Sequence, residues 1–302
     1  MTARILRSGK MKCLLCKNTE FDQIAHSLRG GELINVKKCL KCGHVQLYPL
    51  PTEKEIQERY ETAAVSIPQS EKKRLSDKEV FSLRDTIYNA DLVSSLIPKG
   101  ATVLDYGCGY GFFLKEMKKR KYNISGVDIS TIRTAVAKKN ASKIEIKQNL
   151  TDLSQKSFDC ITAFHVLEHV RDPIGLLITL KSYLKPGGRL IIEVPNLDDH
   201  LISLVPEYKD FYWKIEHLSY FNAKTLAYCV RKAGLKLQKT FYYQRWDIFN
   251  LMNWVLRRAP QPPAEVVYFA ERPKLISWLQ NHYKEYLSKN KTADAVFMVI
   301  KS

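Results

Sequence analysis

A short apolar run, Thr102-Val103-Leu104, leads directly into Asp105-Tyr106-Gly107-Cys108-Gly109-Tyr110-Gly111, and a helical pattern opens at Phe112. Glycines at alternate positions let the backbone turn tightly and let a ligand approach the main chain. A strand that stops in a glycine loop and restarts as a helix is the nucleotide-binding corner of a doubly wound α/β sheet. Two details set this loop apart from the dinucleotide fingerprint. Its spacing is G-x-G-x-G, not G-x-G-x-x-G, and the acid Asp105 stands two residues before the first glycine. A pyrophosphate would be repelled by that carboxylate, whereas an ammonium group could be held near it through water or backbone groups.

The chain around the loop has the periodicity such a sheet needs. From Ala101 to about Gln244, apolar strand-like runs (Thr102–Leu104, Ile124–Val127, Ile144–Ile146, Phe158–Ala163, Leu190–Val194) alternate with helical segments (Phe112–Arg120, Thr131–Lys139, Ile174–Leu184). This alternation predicts a doubly wound α/β fold. Lys185-Pro186-Gly187-Gly188 reads as a turn before the fifth strand. Ala295–Ile300 reads as a last buried strand, and residues 245–291, with Trp246, Trp254, Trp278 and the Pro260, Pro262, Pro263 break, as a helical insertion before it. Upstream, Thr52 with Glu55 is a capping-box pattern for a helix reaching about Glu61, and a second helix spans about Asp77 to Leu96 before Pro98-Lys99-Gly100. The expected organisation is a zinc ribbon over 11–50, a helical linker or lid over 52–98, and an α/β domain over 99–302.

The ribbon expectation rests on cysteine spacing. Four of the seven cysteines form two pairs, Cys13-x-x-Cys16 and Cys39-x-x-Cys42. Each pair can form a tight knuckle, and four thiolates suit tetrahedral Zn²⁺ in a closed site with no position left for water, hence a structural one. His44 is a substitute ligand that four cysteines make unnecessary. A region this small needs the metal to fold.

Asp128 falls at the end of the strand after the glycine loop, where a carboxylate accepts hydrogen bonds from ribose hydroxyls. The competing role is a helix N-cap. Asn149 and Leu150, at the end of the third strand, would flank a base by position. With these pieces in order, residues 101–240 resemble a class I S-adenosylmethionine (SAM)-dependent methyltransferase domain. The resemblance is carried by Val103–Gly111, Gly126–Ser130, Ser157–Asp159, His165–His169, Leu184–Gly188 and Glu193–Asn196. It implies a seven-stranded Rossmann-like sheet with a reversed last hairpin. It also implies SAM as cofactor, bound by Asp105, Tyr106, Gly107, Gly109, Gly111, Asp128, Ile129, Asn149, Leu150 and His165. A zinc ribbon ahead of such a domain is similar to an arrangement in methyltransferases of sugar and surface-glycan pathways, and Lys41–Gln46 through Tyr48–Pro51 looks like that unit's second half. The C-methyltransferases among them carry a further C-terminal domain that this chain has no room for.

Candidate catalytic groups are His165, just past the fourth strand, and Glu216-His217, in the loop after the fifth. His165, Glu168 and His169 stand at i, i+3 and i+4 and can share one face. Three readings stay open: His165 as general base, a metal site like that of quinone-pathway O-methyltransferases (which resemble this with Glu in place of His165), or a hydrogen-bonded structural loop. A Glu-His pair similar to Glu216-His217 belongs to the active site of the sugar C-methyltransferases, where an aromatic hydroxyl stands two residues earlier; this chain has Lys214. Tyr208, Tyr212 and Trp213 could supply an aromatic wall.

The net charge of +17 is spread along the chain. It fits a solvated basic surface suited to small anionic substrates, or a surface that docks nucleic acid. No apolar run is long enough for a membrane span, and no secretory signal opens the chain, so a cytoplasmic location is expected. The expected activity is methyl transfer from SAM to a small polar acceptor: a sugar, nucleotide-sugar or glycan. The alternatives are a nucleic-acid methyltransferase docking through the ribbon and basic surface, and a non-catalytic SAM-fold binding protein.

Overall fold

The computed structural model describes residues 11–65, 85–261 and 273–302. Their strands form two sheets. The larger has seven strands in the order β10-β11-β8-β7-β4-β5-β6. These strands are β4 (Thr102–Tyr106), β5 (Asn123–Val127), β6 (Glu145–Lys147), β7 (Phe158–Phe164), β8 (Leu184–Pro195), β10 (Lys236–Tyr243) and β11 (Ala295–Lys301). Strands β4 to β8 pair in parallel, while β11 runs antiparallel to both β8 and β10. Both the seven-stranded sheet and its reversed end are as expected from the sequence. The order reverses direction at β4, so the glycine loop opens at the crevice where such sheets bind ligands.

Helices cover both faces: residues 85–96 (α2), Phe112–Lys119 (α3), Thr131–Asn140 (α4), Pro173–Tyr183 (α5) and Ala223–Lys232 (α8). The apolar positions explain which face each buries. In α3, Phe113, Leu114 and Met117 point inward and Lys118 and Lys119 close the last turn. In α8, Leu226, Cys229 and Val230 face the core, and an Asn222–Thr225 capping box starts the helix. Gly111 lets α3 and α4 meet: a Cβ there would sit 3.2 Å from the Ala137 Cα and 3.3 Å from its carbonyl oxygen, and φ is +79°.

The smaller sheet is antiparallel, in the order β1-β2-β3-β9, from β1 (Phe21–Ala25), β2 (Asn35–Cys39), β3 (Val45–Tyr48) and β9 (Ser219–Tyr220). Three strands come from the cysteine-rich region, and the fourth comes from the loop following β8. Helix α1 (Glu53–Val65) starts at the predicted capping box: Glu55 N–H donates to Thr52 Oγ1 at 3.1 Å, and Thr52 N–H donates to Glu55 Oε2 at 2.5 Å. Short helices α6 (His200–Leu204) and α7 (Pro206–Tyr212) precede β9. Helices α9 (Ile248–Arg257) and α10 (Lys274–Lys289) occupy the stretch between β10 and β11.

Two expectations need amendment. The Lys185–Gly188 turn lies inside β8: Leu184 faces Phe158 while Arg189 faces Cys160, so the extra residues bulge out around Gly187, whose φ is +76°. The segment turns, as its composition demands, without leaving the sheet. The helix expected from Asp77 is described only from residue 85, and residues 77–84, like Pro262 and Pro263, lie outside the described residues.

Candidate functional site

The glycine loop places its backbone between two clefts. One, of about 660 Å³, is lined by Tyr106, Gly107, Asp128, Ile129, His165 and His169, among others. The second, of about 820 Å³, is lined by Asp105, Gly107, Gly109, Tyr110, Glu193 and Arg245, among others. Gly107 and His165 border both clefts. At Gly107 φ is +83° and a Cβ would come within 2.4 Å of the Val166 side chain, so only glycine closes this wall.

Asp128 is buried and takes two backbone N–H groups, Gly109 N–H to Oδ2 at 2.8 Å and Ser130 N–H to Oδ1 at 2.9 Å. It thereby ties the glycine loop to the end of β5. The N-cap of α4 is Ser130, whose side chain accepts from Arg133 N–H, so Asp128 is not the cap. Each carboxylate oxygen has a second lone-pair direction, and both ribose hydroxyls of a nucleoside fit that donor demand. Asp105 is buried behind the loop, with Thr162 Oγ1 donating to Oδ1 at 2.7 Å. Burial, with Asp128 nearby, pushes its carboxyl up to about 7 against that hydrogen bond. A cationic amino group arriving here would draw it back to the ionised form.

Of the other cofactor candidates, Tyr106 and Ile129 line the first cleft and Gly109 the second. Gly111 faces α4. Asn149 precedes a 3-10 turn over Leu150–Asp152 with no side-chain cap bond, and Leu150 packs against the main core. Neither borders the two clefts described.

His165 has φ +54°, a left-handed conformation that a non-glycine residue keeps only when its surroundings fix it. Here they do. Nδ1 lies 3.2 Å from Glu168 Oε1, Nε2 lies 3.1 Å from Glu193 Oε1, and His165 N–H donates to the Glu193 carbonyl at 2.9 Å. Burial favours the neutral ring, but Glu193 and Glu168 outweigh it and hold the imidazole up to about 9. The guanidinium of Arg245, with Nη1 2.6 Å from Nε2, acts in the opposite sense. Burial works against the charge on Glu193 too, yet His165, Arg245 and the Asn89 amide (3.1 Å) keep its carboxylate below the usual range. Arg245 in turn donates to Asp294 from Nε at 2.8 Å and from its backbone N–H at 2.7 Å.

Beyond His165, a 3-10 turn over Leu167–His169 presents Glu168 and His169. Glu168 is 1% exposed, and its Oε2 has no hydrogen-bond partner among the described residues. His169 Nδ1 lies 2.7 Å from the Glu216 carbonyl, which fixes that nitrogen as the donor. Its Nε2 then faces Glu168 Oε1 at 3.7 Å. The His217 ring stands edge-on to His169, centroids 4.9 Å apart. Burial holds His169 below, and His217 well below, the ordinary histidine value, so both rings are neutral near pH 7. One ligand atom each from Glu168, His169 and His217 lie within 4.8 Å of one another, close enough to share a proton network or a cation. Thus the two sequence-predicted clusters, 165–169 and 216–217, form one constellation. Lys214 borders it, and burial together with Arg29 and Arg245 lowers its ammonium to about 8. Tyr208, Tyr212 and Trp213 are buried in the core beneath the small sheet.

Sequence reasoning did not single out Asn89 or Arg245, and noticed Glu193 only within a motif. The available signal was an acid near the carboxyl end of a buried parallel strand, where ligand-facing groups collect. Arg245 carries no such signal, because it follows an edge strand.

The four N-terminal cysteines converge. Cys13 and Cys42 Sγ are 3.5 Å apart, as are Cys16 and Cys39 Sγ, and all four lie within 4.8 Å of one another as free thiols. Sulfurs about 2.3 Å from a tetrahedral Zn²⁺ stand at about this mutual spacing. The donor set therefore fits the metal.

A largely parallel sheet with a G-x-G-x-G corner, a buried carboxylate at the end of the next strand and a polar cluster at one crevice is the architecture of class I SAM-dependent methyltransferases. The methyltransferase-domain family model matches residues 83–240, more than half of the chain, and the chain belongs to that family. It is a SAM-dependent methyltransferase. A ubiquinone biosynthesis O-methyltransferase from Xanthomonas axonopodis pv. citri is 30% identical over 176 residues, 50% of this chain and 70% of that protein. One of the same name from Alkalilimnicola ehrlichii is 31% identical over 159 residues, 46% of this chain and 62% of that protein. Among solved structures, a chain from the Haloferax volcanii complex between the Trm112 methyltransferase activator and a methyltransferase superposes with a TM-score of 0.52. That match has 17% identity and covers 82% of this chain and 96% of that one, so the likeness is one of fold. No helix among the described residues is long and apolar enough to cross a membrane.

Proposed function

We propose that the chain methylates a hydroxyl of a small polar acceptor, with the acceptor bound between His165, His169 and His217. The observation that carries this reading is the position of His165: it borders both clefts beside the glycine loop and leads into the neutral imidazoles of His169 and His217. Bound SAM supplies a methyl group already activated on a sulfonium. What remains for the protein is to align the acceptor and take its proton. His217, neutral and half-buried, is the proton acceptor in this proposal, and the Glu216 carbonyl orients its neighbour His169. His165, held in the proton-bearing form by two carboxylates that face both of its ring nitrogens, fixes the wall of the acceptor site rather than serving as its base. Asp128 holds the ribose and the Asp105 region the amino group of the cofactor. Cys13, Cys16, Cys39 and Cys42 hold a structural Zn²⁺.

A sugar, nucleotide-sugar or glycan acceptor is supported by the ribbon's resemblance to sugar-pathway enzymes. An aromatic hydroxyl, as in the ubiquinone pathway, is supported by the named relatives, which match about half of this chain. Labelled SAM incubated with nucleotide-sugars, glycans and catechols in parallel separates the two. Turnover with none of them, despite tight SAM binding, would sink the enzymatic site assignment.

A further inference from the structure

The metal knuckle and the active-site loop are joined through a chain of short contacts. Strand β3 follows the second cysteine pair directly and pairs with β9, Val45 opposite Tyr220 and Gln46 opposite Ser219. Leu47 N–H donates to the Leu218 carbonyl at 3.1 Å, and buried His44 reaches Ser219 Oγ at 3.1 Å. At the other end of the same loop, Arg29 N–H donates to the Trp213 carbonyl at 2.9 Å. Tyr220 Oη then closes the loop on itself, accepting from Lys214 N–H at 2.8 Å and donating to the Lys214 carbonyl at 2.9 Å. Residues 213–220 are therefore a clasped loop whose ends both rest on the cysteine-rich region and whose apex carries Glu216 and His217.

Gln46 is the hinge of this arrangement. It is 1% exposed, and while its backbone pairs with β9 its side chain bonds the first knuckle. Oε1 accepts from Leu14 N–H, inside the first knuckle, at 2.8 Å, and Nε2 donates to the Lys12 carbonyl at 3.3 Å. Among the described residues, the hydrogen bonds of the glycine loop and Asp128 stay within the large sheet and its helices and do not reach the cysteine-rich region: Gly107 N–H donates to the Val127 carbonyl at 2.7 Å, Asp128 N–H to the Lys147 carbonyl at 3.2 Å, and the Asn140 amide to the Tyr110 carbonyl at 3.0 Å.

We propose that the four-cysteine site, acting through Gln46, positions the Glu216–His217 loop and so sets the acceptor half of the active site independently of the SAM half. The inference rests on the reading of Glu216 and His217 as acceptor-side groups, but its geometric content, a metal-dependent loop beside a metal-independent cofactor site, stands apart from any acceptor. Gln46 is a positioning residue and touches neither substrate nor cofactor.

The test uses the full chain loaded with Zn²⁺, the same protein stripped with a chelator, and a Gln46→Met variant that keeps all four cysteines. Amide hydrogen exchange is read by peptide, together with affinity for S-adenosylhomocysteine. On stripping, protection over 213–220 should fall at least about tenfold while 102–106 and 124–128 keep theirs, and cofactor affinity should stay within about twofold. Gln46→Met should loosen 213–220 with zinc still bound. Unchanged protection at 213–220 in both samples overturns the proposal. So does uniform loss across both sheets, because the metal would then support the whole fold. If the loop responds as expected but no acceptor is ever methylated, the activity reading fails and this one stands.

Discussion

The two halves of the proposed active site solve the same problem, holding polar groups at one crevice, with different materials. On the proposed cofactor side the work falls to the main chain of the glycine loop and to Asp128, which accepts from the Gly109 and Ser130 amides. On the acceptor side it falls to side chains from five places: Asn89 on α2, His165 to His169 after β7, Glu193 on β8, Glu216-His217 before β9, and Arg245 after β10. A backbone site is set once its strand and turn form. A side-chain site needs every contributor docked. The cofactor half should therefore tolerate change elsewhere in the molecule, and the acceptor half should not.

The sharpest way to break this contrast is to replace His217. His217→Gln should lower kcat by about two to three orders of magnitude while leaving SAM affinity within about twofold, since proton removal acts only in the chemical step. A matching loss of cofactor affinity, measured by calorimetry, would mean the halves are not separable. The converse is Asp128→Ala, which removes a charged acceptor from two amides and from the proposed ribose contact. SAM affinity should drop about a hundredfold, with hydrogen-exchange protection at 213–220 unchanged.

Two pH dependences sharpen the same division. The Asp105 carboxyl, raised to about 7 by burial, carries a proton below that pH. If the cofactor's ammonium favours the ionised form, SAM affinity should climb by up to about tenfold per pH unit below 7 and level off above it. Asp105→Asn should flatten the curve. His165 behaves in the opposite sense. Its folded-state value, about 9, lies above the ordinary 6.5, so its contribution to stability is complete below about 6.5, declines above that, and is gone above about 9. Denaturant titrations from pH 6 to 10 should show this loss, and His165→Gln should remove it. The smallest effect belongs to Ser130→Ala, which deletes the α4 cap beside Asp128 and should cost about 1 kcal/mol of stability with little change in SAM affinity. A large affinity loss there would show that the cofactor half depends on a side chain besides Asp128.

Legibility in the sequence follows this division of labour. The glycine corner was readable because its motif is local: Asp105 to Gly111 and Asp128 lie within one strand-helix-strand unit, and glycine spacing reports backbone shape directly. The cysteine pairs were readable because metal ligands impose spacing. The sheet order followed from alternation, although the β8 bulge hid inside what looked like a plain turn. The acceptor half was half readable. His165, Glu168, His169, Glu216 and His217 were noticed as reactive types, but their union depends on Ser219–Tyr220, a two-residue strand with no periodicity to betray it, reaching a partner some 170 residues earlier. Arg245 and Asn89 had no local signature at all, because contacts such as Asn89 to Glu193 exist only after long-range packing.

Strand β11 carries a consequence for how the molecule comes into being. It is buried along nearly its whole length and separates β8 from β10. Yet it lies about a hundred residues beyond the strand it pairs with, a gap that takes on the order of 5–20 s to synthesise. Through that interval the apolar edge of β8, Leu190 to Val194, has no permanent neighbour, and a bare edge of this kind invites pairing with other chains. Nascent chains halted before Ala295 should thus be the aggregation-prone species, and a chaperone's interest in this protein would centre on the unfilled slot in its sheet.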